Sequence, residues 1–126
     1  MQIDKVINYL YILATIVLTV YGQIVIKWQV NSAGSFPIEA SEKLWFILRL
    51  LLNPWIISGF ACAFLAAISW MAAMTKFPLS YAYPFMSLAF VLVLCLSSIF
   101  FNEAITIPKA VGMGLIVAGI VIGSQN

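Results

Sequence analysis

Four polar residues recur at every fourth position within the otherwise apolar stretch TIVLTVYGQIVIK: Thr15, Thr19, Gln23 and Lys27. Because residues four apart share one face of an α-helix, this face carries two hydroxyls, an amide and a cation. A structural interpretation is that the threonines bond to carbonyls of their own helix, Gln23 contacts a neighbouring helix and Lys27 extends to the surface. A functional interpretation is that this polar stripe lines a cavity that leads to an anion-binding site at Lys27.

A second polar face is predicted in LSYAYPFMS, residues 79–87, where Ser80, Tyr83 and Ser87 fall on one side of a helix. Pro84 lies among them and lacks the N–H that would bond to the carbonyl of Ser80, so the sequence predicts a kink at this point. A kink is tolerated inside a membrane where a cavity or a neighbouring helix satisfies the freed carbonyl. The two faces together predict a polar passage, and the alternative is a kink that serves packing alone.

The composition determines the solvent in which these residues act. Of the 126 residues, 64% are hydrophobic and 8% are charged, no histidine is present, and the mean hydropathy is +1.10. These values exclude a water-soluble globular domain. Four apolar segments, about 7–27, 55–75, 79–101 and 108–124, are each near the ~20 residues that an α-helix needs to cross a bilayer. The sequence therefore predicts one all-α integral membrane domain over 1–126 with four transmembrane helices, the first of them retained rather than cleaved as a signal peptide.

Residues 31–43, NSAGSFPIEASEK, form the only long polar connection in the sequence. Ser41 is a suitable N-cap for a short helix over about 42–52, which we expect to lie at the membrane interface before the second transmembrane helix. That helix is predicted to begin at Asn53-Pro54, with Asn53 as its cap and proline at its first position.

The other two connections, 76–80 and 102–109, are short, so each must join antiparallel neighbours, and both termini must lie at one end of the bundle. Basic residues are slightly more numerous at the opposite end of the bundle. This favours a cytoplasmic location for the connections 31–43 and 102–109. The bias is small, and dual insertion stays open. Lys5 and Lys76 lie at the end that holds the termini, and Lys27, Lys43, Arg49 and Lys109 lie at the other.

The acidic residues all lie at or beyond the ends of the predicted helices: Asp4, Glu39, Glu42 and Glu103. An exporter that couples proton entry to the export of a drug cation typically needs a carboxylate inside the membrane, as counter-ion and proton acceptor. The cations near the membrane surface are better suited to an anionic headgroup such as a phosphate. No ATP-binding motif and no metal-ligand spacing is present, and Cys62 and Cys95 form no recognisable pattern, so we expect neither a cofactor nor a metal nor a disulfide.

The last apolar segment carries Gly112 and Gly119, seven residues apart and therefore on nearly one helix face. Small residues on one face let another helix approach closely, so this face predicts a dimer interface. Glycine is also common in membrane helices without such a role. Four helices are few to enclose a substrate path, which favours a second copy or a paralogous partner.

The order and spacing of these motifs resemble the four-helix form of the drug/metabolite transporter superfamily. GMGLIVAGIVI is similar to the glycine-bearing dimer helix of the small multidrug resistance exporters, and PLSYAYPFMS is similar to their Pro-x-x-x-Ala-Tyr segment. Those exporters carry a glutamate eight residues before the lysine of the first helix and a tryptophan three residues after the tyrosine. Thr19 and Met86 stand at these two positions, so the resemblance to the exporters lacks both functional residues.

A closer resemblance, over about two thirds of the chain, is to the flippase subunits that move 4-amino-4-deoxy-L-arabinose-phosphoundecaprenol across the bacterial inner membrane. YGQIVIK resembles their Gly-Gln-x-x-x-Lys motif, which falls on Gly22, Gln23 and Lys27. The pattern Ala-Tyr-Pro-x-x-Ser-Leu-x-Phe-Val recurs at 82–91, and Glu103 matches the acid that follows their third helix.

The resemblance implies a multi-pass inner-membrane carrier, not an enzyme, that transfers a polyprenyl-phosphate-linked sugar between leaflets. Lys27 would hold the phosphate and Glu103 would meet an amino group on the sugar, while the polyprenyl chain stays in lipid. The partner would be a second copy or a paralogue. Two rival hypotheses are an exporter of small cations, such as drugs or polyamines, and an accessory subunit of another membrane protein. The predicted substrate contacts are Thr15, Thr19, Gln23, Lys27, Ser80, Tyr83, Ser87 and Glu103.

Overall fold

The structure, a computed structural model, describes residues 2–125, and within this range it is built from helices and their connections. The α-helices are α1 (Gln2–Ala33), α2 (Ala40–Leu51), α3 (Pro54–Met74), α4 (Leu79–Ala82), α5 (Leu88–Phe101) and α6 (Ile107–Gly123), and a 3-10 segment, Tyr83–Ser87, joins α4 to α5. Three stretches are long and apolar enough to cross a membrane, namely Ile3–Ala33, Pro54–Met74 and Leu79–Phe101, and Ile107–Gly123 is a shorter apolar helix. This all-helical architecture is that of a membrane protein.

The first helix extends well beyond the predicted 7–27, and the following loop is correspondingly shorter than the predicted 31–43. The extra turns are held because the Trp28 ring packs edge-on against Trp55, with ring centroids 5.2 Å apart, and Gln29 bonds to Asn53. Gly34 follows α1 with a φ of 93°, the left-handed conformation that commonly ends a helix.

The prediction that Ser41 caps the short helix is wrong, whereas the prediction for Asn53 is confirmed. Glu39 has an extended backbone, and α2 begins at the next residue, Ala40. Ser41 therefore already lies inside the helix. At α3 the Asn53 side chain accepts a bond from the backbone N–H of Trp55 at 2.8 Å, and Pro54 occupies the first helical turn. The same Asn53 side chain donates to Gln29 at 2.9 Å, so the cap also ties α3 to α1.

The closest helix pair is α1 with α3, which run antiparallel and meet backbone to backbone at two glycines. A Cβ atom added to Gly22 would lie 3.2 Å from the carbonyl oxygen of Gly59, which is tighter than nine in ten Cβ contacts in proteins. Only glycine at this crossing lets the two helices approach so far. Below the crossing, Ile12, Ile16 and Val20 form the buried core with Ala73 and Ala82, where α3 and α4 present small side chains to α1.

Pro84 divides the third apolar segment. The chain is α-helical from Leu79, tightens to a 3-10 helix over Tyr83–Ser87 and returns to an α-helix at Leu88. Pro84 lies at the start of the 3-10 segment, where its missing N–H removes an α-helical bond and the local backbone takes the tighter form. α5 then packs on α1, and α6 packs against the 3-10 segment and α5.

The bundle has two distinct ends, as the short connections predicted. At the terminal end, Tyr9 near the start of α1 and Gly123 at the end of α6 line the same cavity beside the 75–78 turn. At the opposite end, here called the loop end, lie the last turns of α1, helix α2, and the connection between α5 and α6. Lys27 and Glu103 both belong to the loop end.

We predict that Gly22→Leu destabilises the protein by about 1–3 kcal/mol, the usual cost of overpacking, because the new side chain must force α1 and α3 apart. Gly114→Leu is the matched control, since a Cβ atom at Gly114 meets nothing within 4 Å among the described residues. Denaturant unfolding of both variants in one detergent, followed by circular dichroism, measures the difference. Equal destabilisation by both substitutions would show that the α1–α3 crossing is not tight.

Candidate functional site

A cavity of about 320 Å³ lies between α1, α3 and the 3-10 segment. Thr15 and Thr19 from the polar stripe face Tyr83 across it, and the α3 wall consists of three alanines and Trp70. The Trp70 and Tyr83 rings meet edge-on with centroids 6.1 Å apart. The structure therefore brings part of each predicted polar face into one space, and the remaining lining residues are Ala63, Ala66, Ala67 and Met86. We call this space the central cavity.

The two threonines of the cavity differ in what they offer a ligand. Thr15 is buried, with 3% of its surface exposed, and its hydroxyl donates to the carbonyl oxygen of Tyr11 at 2.8 Å. This is the bond to the same helix that the structural interpretation of the stripe proposed. Thr19 is half-buried and lines the cavity, and Tyr83 is largely exposed. Thr19 and Tyr83 are consequently the hydroxyls best placed to meet a ligand there.

Lys27 and Glu103 meet at the loop end, which the sequence analysis did not predict. The Lys27 Nζ lies 3.8 Å from Glu103 Oε1, and the two side chains are 50% and 44% exposed. Glu103 reaches this position because Asn102 ends α5 in the left-handed conformation, with φ 54° and ψ 29°, and the chain turns back towards α1. A half-exposed ion pair contributes at most about 1 kcal/mol to stability, so its charges stay available to a ligand.

The pair changes the chemistry expected of Lys27. An isolated ammonium would attract any anion, whereas here an incoming anion must compete with the Glu103 carboxylate. A ligand that carries both an anionic and a cationic group can replace both partners at once and leaves neither side chain unpaired. The arrangement is therefore best matched to a zwitterionic headgroup.

The other predicted contacts lie apart from these two places. Gln23 is exposed on α1 between the central cavity and Lys27, as the stripe requires. Ser80, however, is exposed and lines a different cavity, of about 400 Å³, at the terminal end, and Ser87 is half-buried at the end of the 3-10 segment. A 3-10 helix turns through more degrees per residue than an α-helix, so Ser80, Tyr83 and Ser87 do not form one wall.

An aromatic cluster at the terminal end was missed by the sequence reasoning. The hydroxyls of Tyr9 and Tyr81 share a hydrogen bond of 2.6 Å, the rings of Phe77 and Tyr81 are stacked 5.7 Å apart, and Phe85 packs on Tyr81. The signal was present in the sequence, because positions 77, 81 and 85 follow one another at a spacing of four. The cluster fixes α1 to the α3–α4 turn.

The α6 glycines are open in this structure. A Cβ atom added to Gly112 or Gly119 would meet nothing within 4 Å among the described residues, so neither glycine is needed for packing within the bundle. Within residues 2–125 there is also no group of three histidine, cysteine or acidic side chains that could hold a metal ion.

Comparison with known proteins finds relatives along most of the chain. It is 33% identical over 117 residues to the probable 4-amino-4-deoxy-L-arabinose-phosphoundecaprenol flippase subunit ArnF of Aeromonas hydrophila, covering 91% of this chain and 78% of that protein. It is 34% identical over 110 residues to the probable ArnE subunit of the same bacterium, covering 87% and 90%. Probable ArnF of Photorhabdus laumondii is 28% identical over 119 residues, covering 90% and 93%. No family model and no solved structure matches.

Proposed function

The chain belongs to the family of 4-amino-4-deoxy-L-arabinose-phosphoundecaprenol flippase subunits, and on this premise we propose that it moves a polyprenyl-phosphate-linked aminosugar across the bacterial inner membrane. The resemblance stated from the motifs is thereby confirmed. The observation that carries the proposal is the Lys27–Glu103 pair. A lipid of the kind in the relatives' names combines an anionic phosphate with a sugar amine, and these are the two charges that such a pair can bind.

Binding would proceed by exchange of partners. Lys27 Nζ donates to a phosphate oxygen, Glu103 accepts from the protonated amine of the sugar, and the ion pair between the two side chains separates. Hydrogen bonds between charged groups are about twice as strong as those between neutral groups. Because each charge gains a new opposite partner, no charge is left alone near the low-dielectric membrane.

The central cavity would serve the sugar on its way between leaflets. Thr19 and Tyr83 can bond to sugar hydroxyls there, and Gln23 lies between the cavity and Lys27 as an intermediate contact. Thr15, whose proton is bonded to Tyr11, would contribute only an acceptor. No ATP-binding motif is present in the sequence, so net movement would follow an ion gradient or the removal of product on the far side.

Helix α2 would lie on the membrane surface at the loop end. None of its residues is buried, its Trp45 and Leu44 are more than half exposed, and Glu42, Lys43 and Arg49 lie along it. An amphipathic helix with interfacial aromatic and basic residues is suited to that position. We place the loop end on the cytoplasmic side, in accordance with the weak excess of basic residues there.

The carrier would act as a pair of chains. The open glycine face of α6 supports contact with another helix, and the similarity of this chain to both ArnE and ArnF subunits of one bacterium supports a partner of the same four-helix type. A second chain would help to enclose the central cavity. The partner is then either a second copy or a paralogue.

We predict that Lys27→Ala weakens the binding of undecaprenyl phosphate by about ten- to hundredfold, the loss of one charge-assisted hydrogen bond of ~1.5–3 kcal/mol. Lys76→Ala is the matched control, because Lys76 lies at the terminal end of the bundle. Native mass spectrometry of the purified protein, with organic cations as competing ligands, measures the difference. Preference of the wild type for the cations, with indifference to undecaprenyl phosphate, would reject the flippase and support the small-cation exporter.

We predict that Glu103→Gln changes selectivity rather than overall affinity. The variant should lose about tenfold in binding of the aminosugar conjugate, which needs the carboxylate for its amine. It should bind undecaprenyl phosphate without a sugar as well as the wild type or better, because Lys27 no longer has a competing partner. Titration of both lipids against wild type and variant in the same detergent gives the ratio. Parallel loss of both lipids would contradict a direct role of Glu103 with the amine.

We predict that Gly119→Leu weakens association of the chains while leaving the monomer folded, because the new side chain blocks close approach to α6. Gly114→Leu, on the other side of the same helix, should leave association unchanged. Dimer and monomer populations in native mass spectra of the purified chain measure the effect. Unchanged association of the Gly119 variant would place the interface elsewhere.

A further inference from the structure

Two cavities adjoin each other along the face between α1 and α5. One, of about 420 Å³, begins at Val17 and Leu92, and the other, of about 330 Å³ and nearer the loop end, reaches Trp28 and Phe101. Ile24, Val25 and Phe100 line both cavities, so the two spaces are neighbours along α1. Their walls are mainly apolar, and we call the two spaces together the α1–α5 groove.

The groove follows from how α1 divides its faces. On the α3 side, Gly22 meets Gly59 and the backbones touch. On the α5 side, Leu92, Leu96 and Phe100 follow one another at a spacing of four and present large side chains to α1. Bulky side chains hold helices further apart than glycines do, and the space between them here is not filled by the chain itself.

The mouth of the groove, at the loop end, is bordered by residues that are close in the chain to the ion pair. Lys27 directly precedes Trp28, and Glu103 is two residues after Phe101, although neither charged residue lines the groove itself. From residue 17 to residue 28, the groove runs along α1 for about 16 Å at the helical rise of ~1.5 Å per residue. This length is about half of the ~30 Å hydrocarbon core, so the groove is about as long as one leaflet is thick.

We propose that the α1–α5 groove binds the first isoprene units of the polyprenyl chain whose phosphate is held at Lys27. This inference rests on the proposed function and replaces the expectation that the whole chain stays in bulk lipid. In a polyprenyl phosphate the phosphate is bonded directly to the hydrocarbon chain. A phosphate at Lys27 therefore places the first isoprene beside Trp28 and Phe101, at the mouth of the groove.

The same geometry selects against ordinary phospholipids. A glycerophospholipid carries a glycerol between its phosphate and its acyl chains, so with phosphate at Lys27 its chains begin further from the groove. The methyl branches of an isoprenoid also suit the uneven walls made by valine, leucine and isoleucine side chains better than a straight acyl chain does. Since lipid is as apolar as the groove, the gain arises from close packing and is modest.

Leu92→Trp tests the inference, because the larger side chain would fill the part of the groove furthest from Lys27. Leu92 is 39% exposed, so the bundle itself can accommodate the change. Leu65→Trp on α3 is the control, since Leu65 is half exposed and lines neither cavity of the groove. The probes are undecaprenyl phosphate and geranyl phosphate, which has the same chemistry and a much shorter chain. Binding is measured in nanodiscs, with phosphatidylglycerol as competitor.

We expect Leu92→Trp to weaken undecaprenyl phosphate binding by about three- to tenfold, as for the loss of a modest packing contact, and to leave geranyl phosphate unchanged. Lys27→Ala should weaken the binding of both undecaprenyl phosphate and geranyl phosphate. If Lys27→Ala weakens undecaprenyl phosphate binding and Leu92→Trp does not, the groove does not bind the polyprenyl chain. That result would leave the proposed function standing. If phosphatidylglycerol competes as well as unlabelled undecaprenyl phosphate, the groove binds lipids without selectivity. That result would overturn the assignment to isoprenoid chains. Failure of the wild type to bind undecaprenyl phosphate and its aminosugar conjugate alike would overturn the proposed function itself.

Discussion

The contact between Gly22 and Gly59 is the constraint on which the rest of the structure depends. It brings α1 and α3 within backbone distance and fixes their antiparallel register. That register places the two threonines of the stripe opposite the alanines of α3, which leaves the central cavity between them. It also brings Trp28 to Trp55 and Asn53 to Gln29, so that α1 continues as a helix past Lys27. A wider crossing would lose all of these together.

Helix α1 presents three faces, and each face has a different neighbour. One face is packed on α3, one borders the central cavity, and one borders the α1–α5 groove. A substrate with a polar headgroup and a long apolar chain needs two such surfaces side by side, with charge where they meet. Lys27 stands at that point, near the end of the polar stripe and beside the mouth of the groove. Under the proposed function, this division would let one helix bind both parts of an amphipathic lipid.

The periodicity and composition of the sequence predicted the helices, because both depend on interactions within about one turn of the chain. Apolar helices of membrane-spanning length and the capping of α3 by Asn53 are local in this sense, and both are found. The family was also recognisable from short motifs around Lys27 and Tyr83. The predicted N-cap at Ser41 is wrong because α2 begins after Glu39, whose side chain makes no capping bond, and one favourable capping residue is worth only about 1 kcal/mol.

The sequence by itself determined that the chain is a helical membrane protein and which polar side chains it places within the membrane. Only the tertiary structure decided which of them meet. Lys27 and Glu103 pair where a left-handed residue, Asn102, ends α5, and Ser80 and Tyr83 line different cavities, one at the terminal end and one at the centre of the bundle. The groove is likewise absent from any sequence pattern. Distances between helices depend on the register and size of side chains from segments remote in the chain, and hydropathy does not encode them.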